Sequence, residues 1–429
     1  MSEKRYDYLI IGNSTAAIAA VEAIREVDRE GTLAVVSDQP EHCYCSPLIT
    51  YCLAGKVPQE QMDYRPGDFY EKAHVDTILG VAATEVKPAA HEVILEDGRV
   101  LSYGKLLLAT GGVPFVPPIP GGDLSGVFTF TRHEDMRRVQ EFIDGNVVRQ
   151  AVVIGAGMIG VKVAEAFAHL GIETTVVELQ DRVLPLALDQ VASDMAQRVM
   201  EDHGIRVLTT AGATSIGGGS GKVQSVTLDT GSRLPAQIVV VAVGVRPNTA
   251  LAEHAGISVN RGILVDDHMR TSAPDVYAAG DCTEGFDPLL GETRPIAIWP
   301  GAYMQGEVAG RNMAGQDEGY VGSIPMNSIQ VCGLPTISVG LTTPPEGAEV
   351  LQYRSPDGKR YRKFFILDNR IVGALFVGEI DRAGIITGLI REGKDVSSFK
   401  QNLIERDLGL LSLPKHYRKH MVSGPGIEV

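Results

Sequence analysis

The sequence is poor in cysteine and contains no long apolar run. Its 429 residues include five cysteines, too few and too irregularly spaced for a secreted disulfide scaffold. No C-x-x-C or Cys/His zinc pattern occurs, so we predict no metal site. No apolar run reaches about 18 residues, so we expect no membrane span. The first predicted strand begins near Tyr6 and leaves no room for a signal peptide, so we expect a cytoplasmic protein.

Basic residues are also in short supply. The 39 lysines and arginines face 53 acidic residues, which gives a net charge of −14. This balance argues against nucleic-acid binding and against an anionic membrane surface, while a basic protein partner stays open. The hydrophobic content of 44%, the 48 glycines and the length are typical of a globular α/β protein with two to four domains.

Residues 151–178 have the pattern of a dinucleotide-binding unit. Apolar runs at 151–154 and 174–177 predict two buried strands, with G-x-G-x-x-G and a helix between them. The glycines allow a tight turn and a close approach to a pyrophosphate, which the helix N-terminus attracts. Glu178 follows the second strand, where a carboxylate can accept hydrogen bonds from both ribose hydroxyls and would repel the 2′-phosphate of NADP. We therefore predict an NAD(H) site at Gly155, Gly157, Met158, Ile159, Gly160 and Glu178.

A second unit with changed letters lies near the N-terminus. Residues 6–11 and 32–36 predict two strands, with an alanine-rich helix between them. Gly12 keeps the first glycine, whereas Ser14 and Ala17 replace the second and third, and alanine is accepted at the third position. The serine hydroxyl can itself donate a hydrogen bond to a phosphate. The candidate binding residues, with Ser37 at the ribose position, are Gly12, Ser14, Thr15, Ala16, Ser37 and Asp38.

Both units have an alternative interpretation as structural strand–turn–helix segments without a ligand. For the mid-chain unit, Arg182 is the one nearby residue that favours NADP, and it follows Glu178 by four positions. The order of the remaining motifs along the chain favours the ligand-binding interpretation.

Two later segments, 106–112 (LLLATGG) and 275–281 (DVYAAGD), each combine a short buried strand with a small-residue turn. Together with the two glycine units, they resemble the motifs of the pyridine nucleotide–disulfide oxidoreductase flavoproteins over roughly residues 5–325. The resemblance implies that the N-terminal unit binds FAD, that the mid-chain unit binds NAD(P), and that Asp281 contacts the flavin ribityl chain. Further cofactor contacts that we predict are Pro47, Ala109, Thr110, Gly111, Gly244 and Gly280.

Residues 297–306 match the family's W-x-x-A-x-x-Q-G helix. In the family, this helix points its N-terminus at the flavin pyrimidine carbonyl, where the helix dipole favours the negative charge of the reduced flavin. Trp299, the only tryptophan, is therefore a candidate cofactor-binding residue. The alternative is a half-buried interface residue.

The resemblance predicts an α/β fold with two Rossmann-like dinucleotide-binding domains and a small α+β C-terminal domain. We place the discontinuous FAD domain at residues 1–118 and 245–325, with the NAD domain, 119–244, inserted into it. Short apolar strands and a predicted hairpin turn at 368–370 define an interface domain at 326–413. The tail, 414–429, carries the basic run KHYRK at 415–419, which is either a docking element or a solvated end.

The chain departs from the disulfide-reducing members of the family. Residues 43–56 lack their C-x4-C pair and resemble instead the Y-S-R-P-L…L-A-G-K segment of ferredoxin, rubredoxin and nitrite reductases. Cys45 stands on that segment's serine, and Cys43 is too close to it for an unstrained disulfide. Cys45 is either a reactive thiol or a packing residue. No H-P-x-x-x-E element is present near the C-terminus, which counts against dithiol chemistry.

Lys162 stands where many family members have a glutamate that meets the nicotinamide. The basic residue expected near position 46 is a serine. We therefore hypothesise that Lys162 supplies the positive charge near flavin N5 or the nicotinamide, with Lys56 as a competing candidate. The alternative is a helix lysine whose side chain extends to solvent.

The resemblance implies hydride transfer between NAD(H) and FAD, with electrons passing to or from an external iron–sulfur protein or subunit. The sequence shows no cluster ligands, so any cluster lies on another chain. The chain looks most similar to the flavin subunits of phenylglyoxylate dehydrogenase and tungsten aldehyde oxidoreductase complexes. The competing hypothesis is a self-contained NADH oxidase, peroxidase or coenzyme A–disulfide reductase that uses Cys45. A non-enzymatic redox sensor is a third.

Overall fold

The computed structural model describes residues 4–405 together with residues 409, 413, 414 and 417. Most of the basic run at 415–419 lies outside the described residues. Short 3-10 turns occur at Ser46–Leu48, Gln59–Gln61, Pro88–Ala90 and Lys400–Ile404. The helices are α1 (Thr15–Val27), α2 (Ile49–Leu53), α3 (Phe69–Lys72), α4 (His133–Gly145), α5 (Met158–His169), α6 (Gln190–Asp202), α7 (Ala250–His254), α8 (Trp299–Met313) and α9 (Ala383–Arg391).

The strands are β1 (Lys4–Ile11), β2 (Leu33–Ser37), β3 (Val75–Leu79), β4 (Ala83–Lys87), β5 (Glu92–Leu95), β6 (Val100–Leu108), β7 (Gly112–Pro114), β8 (Val127–Phe128), β9 (Gln150–Ile154), β10 (Glu173–Val177), β11 (Ile205–Leu208), β12 (Ala213–Gly219), β13 (Lys222–Leu228), β14 (Arg233–Pro235), β15 (Ile238–Val241), β16 (Val245–Pro247), β17 (Ile263–Leu264), β18 (Val276–Ala278), β19 (Thr283–Asp287), β20 (Glu292–Arg294), β21 (Met326–Val331), β22 (Leu334–Gly340), β23 (Glu349–Arg354), β24 (Tyr361–Leu367) and β25 (Arg370–Val377).

The chain divides into two compact units. Unit 1 contains the described residues of Met1–Pro117, Thr129–Asn146 and Val243–Ser323. Unit 2 contains those of Pro118–Phe128, Val147–Ala242 and Ile324–Val429.

The two units do not follow the predicted domain boundaries in every place. Helix α4 clusters with unit 1, although its position in the chain falls within residues 119–244. The physical reason is polar contact within unit 1: Arg132 Nη1 lies 2.5 Å from Asp38 Oδ2, and His133 Nδ1 lies 3.0 Å from Glu41 Oε1. The described residues from 324 onward cluster in unit 2 with the mid-chain segment, residues 118–128 and 147–242.

The main sheet of unit 1 has the order β3-β2-β1-β6-β5-β4, and β18 pairs with β6. Strand β1 is parallel to both β2 and β6, so that Ile11 pairs with Val36 and with Leu108. Leu108 in turn pairs with Ala278 of the parallel strand β18. Four strands therefore end side by side at one edge, which is where open α/β sheets bind ligands.

Helices α1 and α8 of unit 1 pack through small residues. A Cβ on Gly306 would lie 2.1 Å from the Ala16 carbonyl oxygen, and one on Gly310 would lie 2.6 Å from that of Ala20. Any larger side chain at either position would push the two helices apart, because packed interiors have no space for an added methyl group. The glycines therefore hold the helix backbones close together.

The mid-chain segment of unit 2 forms a parallel sheet of order β11-β10-β9-β15-β8. Ile154 at the end of β9 pairs with Val177 of β10 and with Val241 of β15, so these strands also end at one edge. A separate antiparallel sheet of β12, β13 and β14 covers part of this segment's core. All described helices fall short of the length and apolar character that a membrane crossing requires.

The C-terminal part of unit 2 is a five-stranded antiparallel sheet of order β21-β22-β25-β24-β23 with helix α9 packed on it. The predicted hairpin is confirmed: β24 and β25 are joined through Asp368 and Asn369, with φ of 48° and 61°. Asp and Asn tolerate this left-handed backbone, which two-residue hairpin turns require. The α+β character predicted for residues 326–413 is likewise confirmed over the described residues.

Candidate functional site

The first candidate site lies at the carboxyl edge of the main sheet of unit 1. Gly12 follows β1, has a φ of +122°, and its N–H donates to the Val36 carbonyl at 2.8 Å. A Cβ here would lie 2.0 Å from the Ala109 carbonyl oxygen, so only glycine fits this turn. The sheet register thus brings three sequence-predicted segments, those after β1, β2 and β6, to one place.

Helix α1 starts at this edge with two uncommitted hydroxyl groups. Ser14 is its exposed N-cap residue and makes no side-chain cap hydrogen bond. The Oγ1 atom of Thr15 is buried and has no hydrogen-bond partner among the described residues. A buried hydroxyl without a partner costs free energy, so it points to a polar ligand group at this position. Ala16, 6% exposed, follows within the first turn.

The neighbouring strand ends hold the other candidates in fixed positions. Ser37 is 5% exposed, and its Oγ accepts a hydrogen bond from the Gln39 N–H at 3.1 Å. Asp38 is held by the Arg132 guanidinium. Thr110 Oγ1 donates to the Asn248 carbonyl at 2.6 Å, and Gly111, with a φ of +64°, faces open space.

The turn after β18 lies at the same edge, because β18 runs parallel to β6 and pairs with it. Gly280 has a φ of +87°, and a Cβ there would lie 3.1 Å from the Ala16 Cβ and 3.7 Å from that of Ala302. The first turns of α1 and α8 therefore both lie against Gly280. Asp281 follows, makes no hydrogen bond within the described residues, and burial raises the pKa of its carboxyl to about 6.

Trp299 is the first residue of α8 and is half-buried. Its ring packs edge-on against Tyr64, with centroids 5.2 Å apart and an interplanar angle of 82°. Tyr64 is in turn covered by the Arg65 guanidinium, 4.1 Å from its centroid. The aromatic contact fixes the indole beside the N-terminus of α8.

These residues fit a bound flavin dinucleotide. The Thr15 hydroxyl is buried and the Asp281 carboxyl is half-buried, and neither has a hydrogen-bond partner among the described residues. The N-terminal turns of α1 and α8 supply oriented backbone dipoles. Gly12 allows the tight turn into α1, and Gly111 leaves open space where a side chain would otherwise stand. A ligand rich in phosphate and hydroxyl groups would satisfy these groups together.

The second candidate site is the mid-chain glycine turn of unit 2. Gly155 follows β9 with a φ of +104°, and its N–H donates to the Val177 carbonyl at 2.7 Å. A Cβ on Gly160 would lie 1.9 Å from the Gly155 carbonyl oxygen, whereas one on Gly157 would meet no atom within 4 Å. Gly160 therefore serves helix–strand packing, and Gly157 leaves open space over the turn. Met158 and Ile159 begin α5, and Met158 is 39% exposed.

Glu178 closes this second site and is tied to the glycine turn. Its side chain is buried, with Oε2 accepting from the Ala156 N–H at 2.6 Å and Oε1 accepting from the Gln180 N–H at 2.8 Å. Each carboxylate oxygen can accept a further hydrogen bond. The carboxylate is thus positioned in advance at the strand end where a ribose would lie.

Lys162 makes its described contacts within unit 2. Its Nζ lies 2.7 Å from Glu165 Oε2 and 3.2 Å from the Gln330 carbonyl oxygen, and the side chain is 12% exposed. Glu165 Oε2 also accepts from the Cys332 N–H at 3.2 Å. The alternative of a side chain extending into solvent is therefore wrong, because the ion pair and the carbonyl hold the ammonium against the C-terminal sheet. A role near flavin N5 stays a prediction.

The remaining candidates lie in turns of unit 1. Cys45 precedes the 3-10 turn Ser46–Leu48, its N–H donates to the Met62 carbonyl at 2.8 Å, and burial raises the pKa of its thiol. Pro47 within this turn and Lys56 after α2 are exposed. Gly244 has a φ of +130° and accepts a hydrogen bond from the Phe115 N–H at 2.9 Å.

Two residues that hold the first site were not predicted from the sequence. Arg132 binds Asp38, and nothing in the sequence marks it, because the contact depends on how α4 folds back. Gln305 binds the Gly280 N–H at 2.7 Å, and its place in the W-x-x-A-x-x-Q-G motif is the signal that could have identified it.

One group of possible metal ligands occurs among the described residues, at Asp266, Asp267 and His268. Both aspartates are exposed, and the His268 ring lies 2.6 Å from Asp267 and 2.9 Å from Asp317. The imidazole nitrogens are thus engaged by carboxylates.

Two strand–glycine turn–helix units, each at the carboxyl edge of a parallel sheet, define the class of oxidoreductases that bind a flavin and a pyridine nucleotide. Comparison with known proteins gives the particular family. The pyridine nucleotide-disulphide oxidoreductase model matches residues 6–306, and the rubredoxin NAD+ reductase C-terminal domain model matches residues 325–394. The chain belongs to the pyridine nucleotide-disulphide oxidoreductase family, which confirms the resemblance seen in its motifs.

Three relatives illustrate the likeness. The NADH-dependent phenylglyoxylate dehydrogenase subunit epsilon of Aromatoleum evansii is 32% identical over 407 residues, covering 94% of this chain and 96% of the relative. A ferredoxin reductase from Rhodopseudomonas palustris superposes with a TM-score of 0.85 at 25% identity, covering 93% of this chain and 98% of the other. A NAD-dependent persulfide reductase from A. fulgidus has a TM-score of 0.85 at 28% identity, covering 94% and 79%.

Proposed function

We propose that this chain is an FAD-dependent NAD(H) oxidoreductase that exchanges electrons with an external iron–sulfur protein or subunit. The observation that carries the proposal is the pairing of two glycine turns in one chain, one beside the half-buried, unpartnered carboxyl of Asp281 and one beside Glu178. The first combination suits the hydroxyl-rich chain of FAD, and the second suits the unphosphorylated ribose of NAD(H). FAD, when bound, accepts a hydride from NADH and releases its electrons singly.

The chain's own residues bind and orient the two cofactors. The first turn of α1 would present its free backbone N–H groups to the FAD pyrophosphate, Gly12 allows the tight turn that leads into this helix, and Asp281 would accept hydrogen bonds from ribityl hydroxyls. The N-terminus of α8 would favour negative charge on the pyrimidine of a flavin held beside it. Gly157 admits the pyrophosphate of NADH, and Glu178 accepts from the adenosine ribose. We infer that these residues contribute to catalysis mainly by orienting the cofactors, because hydride transfer depends on how the reacting rings are positioned.

The choice of an iron–sulfur partner rests on the relatives and on the cysteines. The Aromatoleum relative is a subunit of an NADH-dependent dehydrogenase, and the Rhodopseudomonas relative is a ferredoxin reductase. The five cysteines all lie in described residues, and no disulfide joins any of them. Without a redox disulfide, electrons that leave the flavin need an acceptor outside the chain.

The persulfide reductase relative is the observation that favours the thiol alternative, for which Cys45 is the predicted residue. A thiol nucleophile must be a thiolate, and a reactive cysteine has a lowered pKa. Burial instead raises the pKa of Cys45, and the nearest helical turn is a three-residue 3-10 turn. The geometry therefore favours electron transfer to an external partner.

An anaerobic titration of the full chain, loaded with FAD, tests the proposal. NADH should bleach the flavin by two electrons, NADPH should do so much less effectively, and reduced protein should then pass electrons to a purified ferredoxin or rubredoxin. Cys45→Ser should behave like the wild type in each step. A thiolate charge-transfer band that Cys45→Ser abolishes, with turnover on persulfide or coenzyme A disulfide but not on the iron–sulfur proteins, would contradict the proposal.

A further inference from the structure

A buried amide side chain on helix α8 holds the turn that carries Asp281. Gln305 is 4% exposed, and its Oε1 accepts a hydrogen bond from the Gly280 N–H at 2.7 Å. Because a backbone N–H can only donate, the amide oxygen rather than the nitrogen must face Gly280. The orientation of this side chain is therefore fixed by the turn.

The same oxygen reaches the far side of the turn. The Thr283 hydroxyl lies 2.9 Å from Gln305 Oε1 and 2.8 Å from the Gly280 carbonyl oxygen, and it is 1% exposed. Asp281 lies between Gly280 and Thr283 in the chain. Gln305 thus closes a small ring of buried hydrogen bonds around the Asp281 backbone.

The other end of the amide is enclosed as well. A Cβ on Gly285 would lie 2.5 Å from Gln305 Nε2 and 3.6 Å from the Tyr320 hydroxyl. Tyr320 is 7% exposed, and its hydroxyl donates to Ser323 Oγ at 2.6 Å. Glycine at 285 is what gives the amide room, and a network of buried polar groups locks its position.

This arrangement couples two features that the proposed function assigns to the flavin. Gln305 belongs to α8, whose N-terminus lies two turns before it, and it binds the turn that presents Asp281. The α8 backbone and the Asp281 backbone are thus joined through one side chain. A shift of either element would break a buried hydrogen bond, whose unsatisfied donor is costly.

We propose that Gln305 is a positioning residue: it fixes the Asp281 turn to helix α8, so that the ribityl-binding carboxylate and the helix N-terminus are set as one unit. The inference rests on the proposed FAD site. Gln305 is 4% exposed and its oxygen is occupied by Gly280 and Thr283, so its role is to act through the Asp281 turn. Its effect is on how tightly FAD binds and on the flavin reduction potential.

The test compares Gln305→Met with Gln305→Glu in the full chain. Methionine keeps the volume but leaves the Gly280 N–H without an acceptor, so FAD should dissociate about three- to tenfold more readily, and the flavin potential should shift. Glutamate keeps an oxygen facing Gly280 and Thr283, so it should retain FAD better than methionine. A role in packing alone predicts the reverse order, because methionine buries no carboxyl group.

Asn312 supplies the matched control. It is a second buried amide on α8, also 4% exposed, and it binds the carbonyl oxygens of Val308 and Glu318 rather than the Asp281 turn. Asn312→Ala should lower thermal stability while leaving FAD affinity and the reduction potential of the folded fraction unchanged.

The outcomes separate the two proposals. If wild-type protein binds no FAD, the proposed function fails before Gln305 is tested. If wild-type protein binds FAD, two results overturn the positioning role while the function stands. One is that Gln305→Met matches the wild type in FAD affinity and flavin potential, and the other is that Gln305→Met retains FAD better than Gln305→Glu.

If Gln305→Met does not fold, the comparison of Gln305→Glu with Gly285→Ala tests the positioning role instead. Gly285→Ala displaces the amide and should weaken FAD binding more than Gln305→Glu does, and equal or stronger binding by Gly285→Ala overturns the role.

Discussion

The backbone N–H of Ala156 donates a hydrogen bond to Glu178 Oε2 at 2.6 Å, so the glycine turn and the acidic residue at the next strand end are directly joined. Their spacing in sequence is what the dinucleotide pattern predicts, and their contact gives that pattern a structural reason. Glu178 stabilises the turn that presents helix α5, in addition to its proposed binding of the ribose.

This double role predicts that Glu178→Ala lowers both stability and coenzyme affinity. Loss of the charged acceptor for two backbone N–H groups should cost about 2 kcal/mol of unfolding free energy. NADH affinity should fall, and the preference for NADH over NADPH should shrink. Denaturant unfolding and NADH titration measure the two effects. Glu173→Ala, an exposed acid at the start of the same strand, is the control and should change neither.

Local chemistry explains which features could be predicted from the sequence. The turn at Gly155 and the hairpin at Asp368 and Asn369 need particular backbone angles, which few residues adopt, so their letters are informative. The contact of Arg132 with Asp38 was not predictable, because it joins residues 94 positions apart through the fold. The surroundings of Lys162 depend in the same way on a turn near residue 332.

The unpartnered carboxyl of Asp281 predicts a pH-dependent stability of the apoprotein. Burial raises its pKa to about 6, above the ordinary value of 3.8. The folded state then binds more protons than the unfolded state between these pH values, so stability present below pH 3.8 is lost as the pH rises through about 6. The loss should approach about 2–3 kcal/mol.

Thermal unfolding of apoprotein across this pH range, for wild type and Asp281→Asn, measures the effect. The asparagine variant should lack the fall in stability that the wild type shows. Parallel curves for the two proteins would mean that Asp281 titrates normally, and that its surroundings do not disfavour the charged form.

Because Lys162 forms an ion pair with Glu165, replacing Lys162 should lower protein stability, and this effect can be measured separately from any effect on catalysis. Lys162→Met removes the bond to Glu165 and the bond to the Gln330 carbonyl, so the unfolding free energy should fall by about 1–3 kcal/mol. Glu165→Gln should lose a similar amount, and the double variant should lose less than the sum. The rate of flavin reduction by NADH, measured per folded molecule, then tests the hypothesis of a cation near the nicotinamide. A rate equal to the wild type eliminates that role for Lys162.

Gly157, the N-cap of α5, and Gly160, in its first turn, should respond differently to substitution by alanine: one change should affect coenzyme binding and the other protein stability. A methyl group on Gly160 would lie 1.9 Å from the Gly155 carbonyl oxygen, so Gly160→Ala should destabilise the protein itself. A methyl group on Gly157 meets no protein atom within 4 Å, and the φ of −70° suits alanine, so Gly157→Ala should fold with wild-type stability. Its methyl group would instead occupy the space that the pyrophosphate needs, and NADH affinity should fall at least tenfold, or by about 1.4 kcal/mol. Thermal unfolding measures the effect of Gly160→Ala and serves as the control for Gly157→Ala, and FAD content is the control for both variants. Wild-type NADH affinity in Gly157→Ala would place the coenzyme somewhere other than the mid-chain turn.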